Sequence, residues 1–200
     1  MIYGLGDNEA FGVGRISTDS RRPILDVQYR DSDAVDRRLH NAANKMLQGY
    51  LVNPDTVPRM VCWESQAQPI LDYVIAVGSP IVSEAFRHVV EKRDPGVHQF
   101  LPVDIHRAKA SAPFARHYWF VICRRLHSLH ESALTPLRTE CGRWRTAVGD
   151  RCVFNKAVIG DAPIWTDPDM RGSVFCSTLV AEALAEARLT GLRFHEYQDD

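Results

Sequence analysis

Two stretches of this chain repeat one order of residue types, and this repeat constrains the fold more than any other feature of the sequence. They run from Ile81 to Phe100 and from Phe175 to Phe194. A shift of 94 positions places Ser83 on Ser177, and both serines precede apolar residues at helical spacing. Each stretch then reaches a glycine and a further apolar segment. Each therefore predicts a serine-capped amphipathic helix, a glycine stop and a strand.

The apolar faces of the two predicted helices correspond. They consist of Val82, Phe86, Val89 and Val90 in the first unit and of Cys176, Val180, Ala183 and Leu184 in the second. Either the same capping chemistry recurs wherever a helix is joined by glycine to a strand, or the unit was duplicated. Few identities lie outside the serine and the glycine, so recurring capping chemistry is the favoured explanation. Two such units predict an α+β fold, a mixed sheet with amphipathic helices packed on it.

The rest of the chain adds one helix and several strands to this prediction. Apolar residues at helical spacing predict a helix over Asp33–Gly49. Strands are predicted over 69–77, 97–105, 117–126 and 151–160, and the third is central because it is apolar on both faces. The first thirty residues predict one or two short strands and match neither the dinucleotide nor the P-loop fingerprint.

Length and charge limit the class of protein. A chain of 200 residues can form one domain over 1–200, with a division into two lobes, 1–70 and 71–200, as the alternative. Its net charge of -1 favours neither a nucleic acid nor an anionic membrane as the partner. The sequence shows no signal peptide and no apolar run long enough to cross a bilayer, so we expect a cytoplasmic protein.

The residues that could carry chemistry form no convincing catalytic or metal-binding motif. The five cysteines are Cys62, Cys123, Cys141, Cys152 and Cys176. They form no CxxC pair, which favours reduced core thiols over a zinc site or a disulfide. Cys176 is the best candidate nucleophile, because a helix that begins beside it could lower its pKa. His127 and His130 are a weak metal signal. We therefore predict no catalytic residue, no metal, no cofactor and no enzymatic activity.

Two segments are candidates for contact with a partner. Arginines cluster around Trp144, at Arg138, Arg143, Arg145 and Arg151, and a solvated loop is the favoured interpretation of this segment over an RNA or acidic-protein contact. The turn-rich link before the last helix carries Trp165 with Asp167 and Asp169 nearby. We predict that these three residues bind the partner, with Trp165 as the anchor. The alternative is that Trp165 fills the edge of the core.

Four blocks in this order resemble a known family: "SPIVSEAFRHVVEKRDPGVHQFLPVDI", "HYWFVICRRL", "RCVFNKAVIG" and "FCSTLVAEALAEARLTGLRFHEY". The chain is similar to the eleventh family in the numbered series of bacterial immunity proteins, formerly a domain of unknown function. Its members are encoded beside polymorphic toxins. The resemblance covers Leu71 to Tyr197, and the last block is its most specific part. It carries no catalytic residue.

The resemblance implies a cytoplasmic protein that binds and neutralises a cognate secreted toxin by stoichiometric protein–protein binding. Two alternatives stay open at this point. One is a thiol-dependent hydrolase that reverses the toxin's modification, and the other is a regulatory interaction module.

Overall fold

The computed structural model describes residues 1–7, 16–17, 27–28, 45–63, 69–76, 78–107, 110–130, 137–138, 144–145, 152–168, 170 and 173–199. Its strands are β1 (Ile2–Asp7), β2 (Ile16–Ser17), β3 (Val27–Gln28), β4 (Leu51–Val52), β5 (Met60–Trp63), β6 (Tyr73–Ala76), β7 (Ser79–Val82), β8 (Gln99–Arg107), β9 (Ala115–Val121), β10 (Leu137–Arg138), β11 (Trp144–Arg145), β12 (Val153–Phe154), β13 (Ile164–Trp165), β14 (Val174–Ser177) and β15 (Leu192–Asp199). Its α-helices are α1 (Glu84–Arg93), α2 (Lys156–Ile159) and α3 (Thr178–Glu186). Two 3-10 helices cover Lys45–Leu47 and Pro54–Thr56.

Most strands belong to two mixed sheets, which confirms the predicted α+β fold. The six-stranded sheet has the order β2-β5-β8-β9-β7-β6, and the five-stranded sheet has the order β12-β15-β1-β14-β13. The remaining strands pair as β3 with β4 and β10 with β11. No helix in the described part of the chain is both long and apolar enough to cross a membrane.

The two sheets share one topology. Strands β5-β8-β9-β7-β6 correspond one by one to β12-β15-β1-β14-β13. In both sheets the first of these pairs is parallel and the other three are antiparallel. In the six-stranded sheet, α1 joins the parallel strands β7 and β8, and the antiparallel strand β9 lies between them. In the five-stranded sheet, α3 joins the parallel strands β14 and β15, and the antiparallel strand β1 lies between them. The middle strand β9 follows β8 along the chain, whereas β1 comes from the N-terminal end. The repeat in the sequence thus marks a repeat of topology, which capping chemistry alone does not require.

Each repeated unit is built by the local signals that the sequence predicts. The hydroxyl of Ser83 accepts a hydrogen bond from the Phe86 N–H at 3.3 Å and caps α1. Ser177 occupies the equivalent N-cap position of α3, but its side chain makes no capping hydrogen bond. Gly96 and Gly191 follow the helices with φ of 69° and 83°, the left-handed region that glycine adopts without strain.

Both helices bury their apolar faces in one cluster that lies between the sheets. The six-stranded sheet contributes Val82 and Phe120, and the five-stranded sheet contributes Val174 and Cys176. Phe86 and Val90 of α1 and Val180 and Leu184 of α3 come from the predicted stripes. Ala181 of α3 joins them in the cluster, whereas the predicted Ala183 is only partly buried. Full burial of a large apolar side chain contributes about 1.5–3 kcal/mol. The shared cluster therefore holds the two repeated units together.

The outer face of each sheet packs against a further cluster. Trp119 and Val121 of β9 alternate with Phe120 and point to the first outer cluster, where Met46 and Tyr50 cover the six-stranded sheet. On the five-stranded sheet, Phe175 and Trp165 point to a second outer cluster with Ile2, Cys152, Phe154, Ile159 and Met170. Both sheets are therefore covered on both faces.

Several predictions about single elements are confirmed, and one is wrong. Strands overlap the predicted segments 69–77, 97–105 and 117–126, and β9 is internal to its sheet. Segment 151–160 is not one strand, because Asn155 ends β12 and caps α2. Most of the predicted helix Asp33–Gly49 lies outside the described residues, and the 3-10 helix Lys45–Leu47 is at its end. The single domain over 1–200, with two lobes divided at residue 70 as the alternative, stays a prediction.

The two equivalent glycines give a matched test of the fold. A Cβ on Gly191 would lie 2.2 Å from the Tyr73 carbonyl oxygen, whereas a Cβ on Gly96 would meet nothing within 4 Å. We expect Gly96→Ala to lower the free energy of unfolding by about 1–2 kcal/mol, the cost of a left-handed alanine. Gly191→Ala should lower the free energy of unfolding by roughly 1–3 kcal/mol more than Gly96→Ala does, because its added methyl group overpacks against Tyr73. Urea denaturation measures both, and equal losses would show that the close approach to Tyr73 is not important.

Candidate partner-binding site

Two adjoining grooves lie on either side of the segment that contains α2. The α3 groove has a volume of about 630 Å³ and lies between the end of α1, α2 and the first turn of α3. The Arg125 groove has a volume of about 690 Å³ and is lined by Tyr50, Arg124, Arg125 and the segment after them. Both grooves are lined by Ile159, Asp161 and Ala162. They form one continuous face of the molecule.

Local hydrogen bonds hold the walls of the α3 groove. The Asn155 side chain accepts from the Val158 N–H at 3.2 Å and starts α2. The Ser177 N–H donates to the Pro163 carbonyl oxygen at 2.9 Å and fixes the segment after α2 against β14. The Thr178 hydroxyl donates to the Met1 carbonyl oxygen at 2.9 Å, which joins α3 to the start of β1. Hydrogen bonds at α2, α3 and the neighbouring strands therefore fix the positions of the groove walls.

Basic and apolar side chains dominate the α3 groove. Lys92 and Arg93 come from the last turn of α1, and Lys156 comes from the first residue of α2. Leu179, in the first turn of α3, also lines the groove and is 63% exposed. Asp161 is the one acidic residue among the described residues that line the groove. This combination suits an acidic and partly apolar surface.

The Arg125 groove is more polar. Arg125 donates a hydrogen bond from Nη1 to the Tyr50 hydroxyl, and its guanidinium carbon lies 5.0 Å from the centroid of the Tyr50 ring. This cation–π contact keeps the Arg125 side chain beside the ring. The exposed His127 lies along the same groove.

A buried ionic network connects the two sheets next to this groove. The Asp94 carboxylate is 5% exposed and accepts hydrogen bonds from His98 Nε2 at 3.0 Å and Arg124 Nη2 at 2.8 Å. Arg124 Nη1 also donates to this carboxylate and, at 2.9 Å, to the Ile164 carbonyl oxygen. Since Arg124 follows β9 and Ile164 belongs to β13, the network joins one sheet to the other.

The network determines the charge state of Asp94. Burial by itself raises the pKa of this carboxyl group, but the hydrogen bonds from His98 and Arg124 and the charge of Arg124 outweigh burial. The pKa of Asp94 is therefore lowered from its ordinary value of 3.8. The folded protein stabilises the ionised carboxylate.

The network places Asp94, His98 and Cys123 in an order that a thiol hydrolase would use, but their atoms are not arranged for catalysis. The Cys123 N–H, and not its thiol, donates to His98 Nδ1 at 3.1 Å. That nitrogen therefore carries no proton, and the ring donates to Asp94 from Nε2. The Cys123 sulfur lies 3.4 Å from the Val121 carbonyl oxygen, and the His98 side chain is 0% exposed. The imidazole cannot accept a proton from a substrate in this arrangement.

Cys176, the candidate nucleophile from the sequence, lies in the cluster between the sheets. It is 0% exposed, and burial raises the pKa of its thiol to about 12. The expectation that α3 lowers this pKa is wrong, because the loss of hydration of the thiolate dominates. The described cysteines are free thiols. Among the residues that the structure describes, no group of histidine, cysteine, aspartate or glutamate side chains could hold a metal ion.

Trp165 and Asp167 are both buried, and Trp165 also belongs to the lining of the α3 groove. Trp165 is 0% exposed, and its indole N–H donates to the Ser128 hydroxyl at 3.0 Å. That hydroxyl donates to Asp167 Oδ2 at 2.9 Å, and Asp167 is 1% exposed. Trp165 is therefore not the exposed side chain that the prediction assumed, and it fills the core edge. Asp169 lies outside the described residues, as do the side chains of the arginine cluster around Trp144. That Trp165, Asp167 and Asp169 bind the partner stays a prediction.

Comparison with known proteins assigns the chain to a family. The model of the immunity protein family Imm11 matches residues 15–199, nearly the whole sequence. The chain belongs to the Imm11 family. The resemblance that the sequence blocks carry is thereby confirmed and extends further toward the N-terminus than those blocks do. A comparison with curated proteins gives no significant match.

In this Imm11 protein, the predicted residue Trp165 belongs to the lining of the candidate face, but sequence reasoning missed the exposed residues there. Leu179 carried a usable signal, because it lies on α3 outside the apolar stripe of Val180, Ala181 and Leu184. Lys92 and Arg93 gave no such signal, since basic residues in the last turn are common in any helix.

The buried network predicts a specific dependence of stability on pH. Because the pKa of Asp94 is lower in the folded chain, its stabilisation is complete above about pH 4 and is lost as pH falls through the folded value. At pH 7 we expect Asp94→Asn to cost about 3–5 kcal/mol, since it leaves Arg124 without its buried partner. The variant should also lose less stability on acidification than the wild type does.

Urea denaturation between pH 3 and pH 7 measures this dependence. The control is Asp104→Asn, because the Asp104–Arg116 ion pair is exposed and contributes about 0–1 kcal/mol. If both variants lost the same stability, the network would not be what joins the sheets.

Proposed function

We propose that this protein neutralises a cognate bacterial toxin in the cytoplasm by binding it stoichiometrically, without catalysis. Membership of the Imm11 family is the observation that carries the proposal. The candidate face supports it, because basic and apolar side chains line grooves whose walls are joined by hydrogen bonds. Recognition of a protein surface needs such a preformed face and no reactive group.

The state of the thiols argues against the alternative of a thiol-dependent hydrolase. Cys176 is buried with a raised pKa, and the amide of Cys123 occupies the His98 nitrogen that would serve as a base. Binding alone is sufficient to neutralise a toxin. A protein that covers the toxin's active site inhibits the fraction of toxin molecules to which it is bound.

Co-expression with the toxin domain encoded beside this protein tests the proposal. We expect rescue of growth and a co-purifying complex with a one-to-one ratio, measured by light scattering after gel filtration. Rescue should require at least as much of this protein as of toxin. Rescue by a small fraction of that amount, with no complex, would indicate catalytic turnover instead.

Replacement of the cysteines separates binding from thiol chemistry. A variant with all five cysteines changed to serine or alanine should still protect cells, because binding needs no thiolate. A second set with Cys62 and Cys123 alone replaced covers the case in which the full set fails to fold, since both are only partly buried. Loss of protection in this smaller set with retained toxin binding would support the hydrolase.

A further inference from the structure

Exposed apolar side chains are grouped around the α3 groove. Six large hydrophobic side chains are exposed in the described part of the chain, and two of them, Met1 at 55% and Leu179 at 63%, line this groove. A third, Val158 at 44%, precedes the lining residue Ile159 in α2. Scattered exposed apolar residues are ordinary, but several around one concave site are typical of an interface.

The charges of the groove indicate which chemical groups a binding partner would place in it. Lys92 and Arg93 are exposed and make no ion pair within the described part of the chain. Lys156 adds a third cation, and Asp161 is the one described carboxylate in the lining. Since the whole chain has a net charge of -1, the positive charge is a local feature of this face. Positive and apolar groups side by side complement carboxylates next to apolar side chains.

We propose that the α3 groove binds a segment of the cognate toxin that carries acidic and apolar side chains next to each other. Its apolar side chains pack against Leu179 and the floor formed by Ile2 and Pro163, and its carboxylates pair with Lys92 and Arg93. The uncapped first turn of α3 adds further positive potential at the same wall. This inference rests on the proposed function and names the surface that carries it out.

Variants with matched controls test the groove in the full-length protein. Leu179→Glu removes the apolar anchor at an exposed position in the first turn of α3, where a carboxylate is compatible with the helix. Lys92→Gln with Arg93→Gln removes two charges without reversing them. The controls are Leu51→Glu, at a side chain that is 46% exposed, and Arg193→Gln, at an exposed residue of β15, and neither residue lines the groove.

Calorimetry with the purified toxin domain should show the difference. We expect Leu179→Glu to raise Kd by about 30-fold, the size of an interface hot spot. The double Gln variant should raise Kd by about tenfold and make Kd less dependent on salt concentration. The controls should leave Kd within about twofold of the wild type. Thermal unfolding of each variant checks that the changes in Kd do not come from unfolding.

Chemical cross-linking tests the acidic nature of the bound segment. A carbodiimide couples a lysine amine directly to a carboxylate, so Lys92 should form an amide with an aspartate or glutamate of the toxin. Mass spectrometry locates this link, and Lys92→Gln should abolish it.

The outcomes separate this inference from the proposed function. If wild-type protein and toxin form no complex, the proposed function itself fails. If they do form one and the groove variants bind like the controls, the inference is wrong and the function stands. A wild-type dimer that Leu179→Glu dissolves would show that the occupant is a second copy of this chain. Binding of single-stranded oligonucleotide that depends on Lys92 and Arg93 would equally overturn the inference.

Discussion

The rest of the structure depends on the burial of two helices in one apolar cluster between two sheets. Neither α1 nor α3 has a second apolar face, so each can cover one sheet and must meet the other helix in the middle. This constraint explains why two units of the same topology form one structure. Each sheet then needs a cover on its outer face, and Met46 and Tyr50 on one side, with Trp165 on the other, belong to these covers.

The polar contacts between the sheets follow from the same arrangement. Where the chain leaves β9 it crosses to β13, and the Leu126 N–H donates to the Thr166 carbonyl oxygen at 3.0 Å. At this crossing the ionised Asp94 would be a buried charge without Arg124 and His98, which stabilise its carboxylate. The same crossing brings the C-terminal end of α1 close to α2 and so forms the two grooves. The candidate face is therefore a product of how the two units dock.

Sequence reasoning predicted the elements whose signals are local. The Ser83 cap, the apolar stripes and the central strand β9 depend on spacing within a few residues, and all three are found. Segment 151–160 was misassigned because its apolar residues also fit a short strand followed by a helix, and Asn155 decides between them by capping α2. Trp165 was expected at the surface because the turn residues around it are typical of exposed links, yet its indole packs against Phe175 and Phe154.

The sequence by itself determined the α+β class, the two helix–glycine–strand units and the family to which the chain belongs. These properties follow from periodicity, capping and the order of blocks, and each is encoded in neighbouring residues. Only the tertiary structure decided that β1 completes the second sheet, that Asp94 and Arg124 join the sheets and that Lys92 and Leu179 face one groove. Each of these links residues that are far apart in the chain, and their pairing depends on which apolar faces the whole fold brings together.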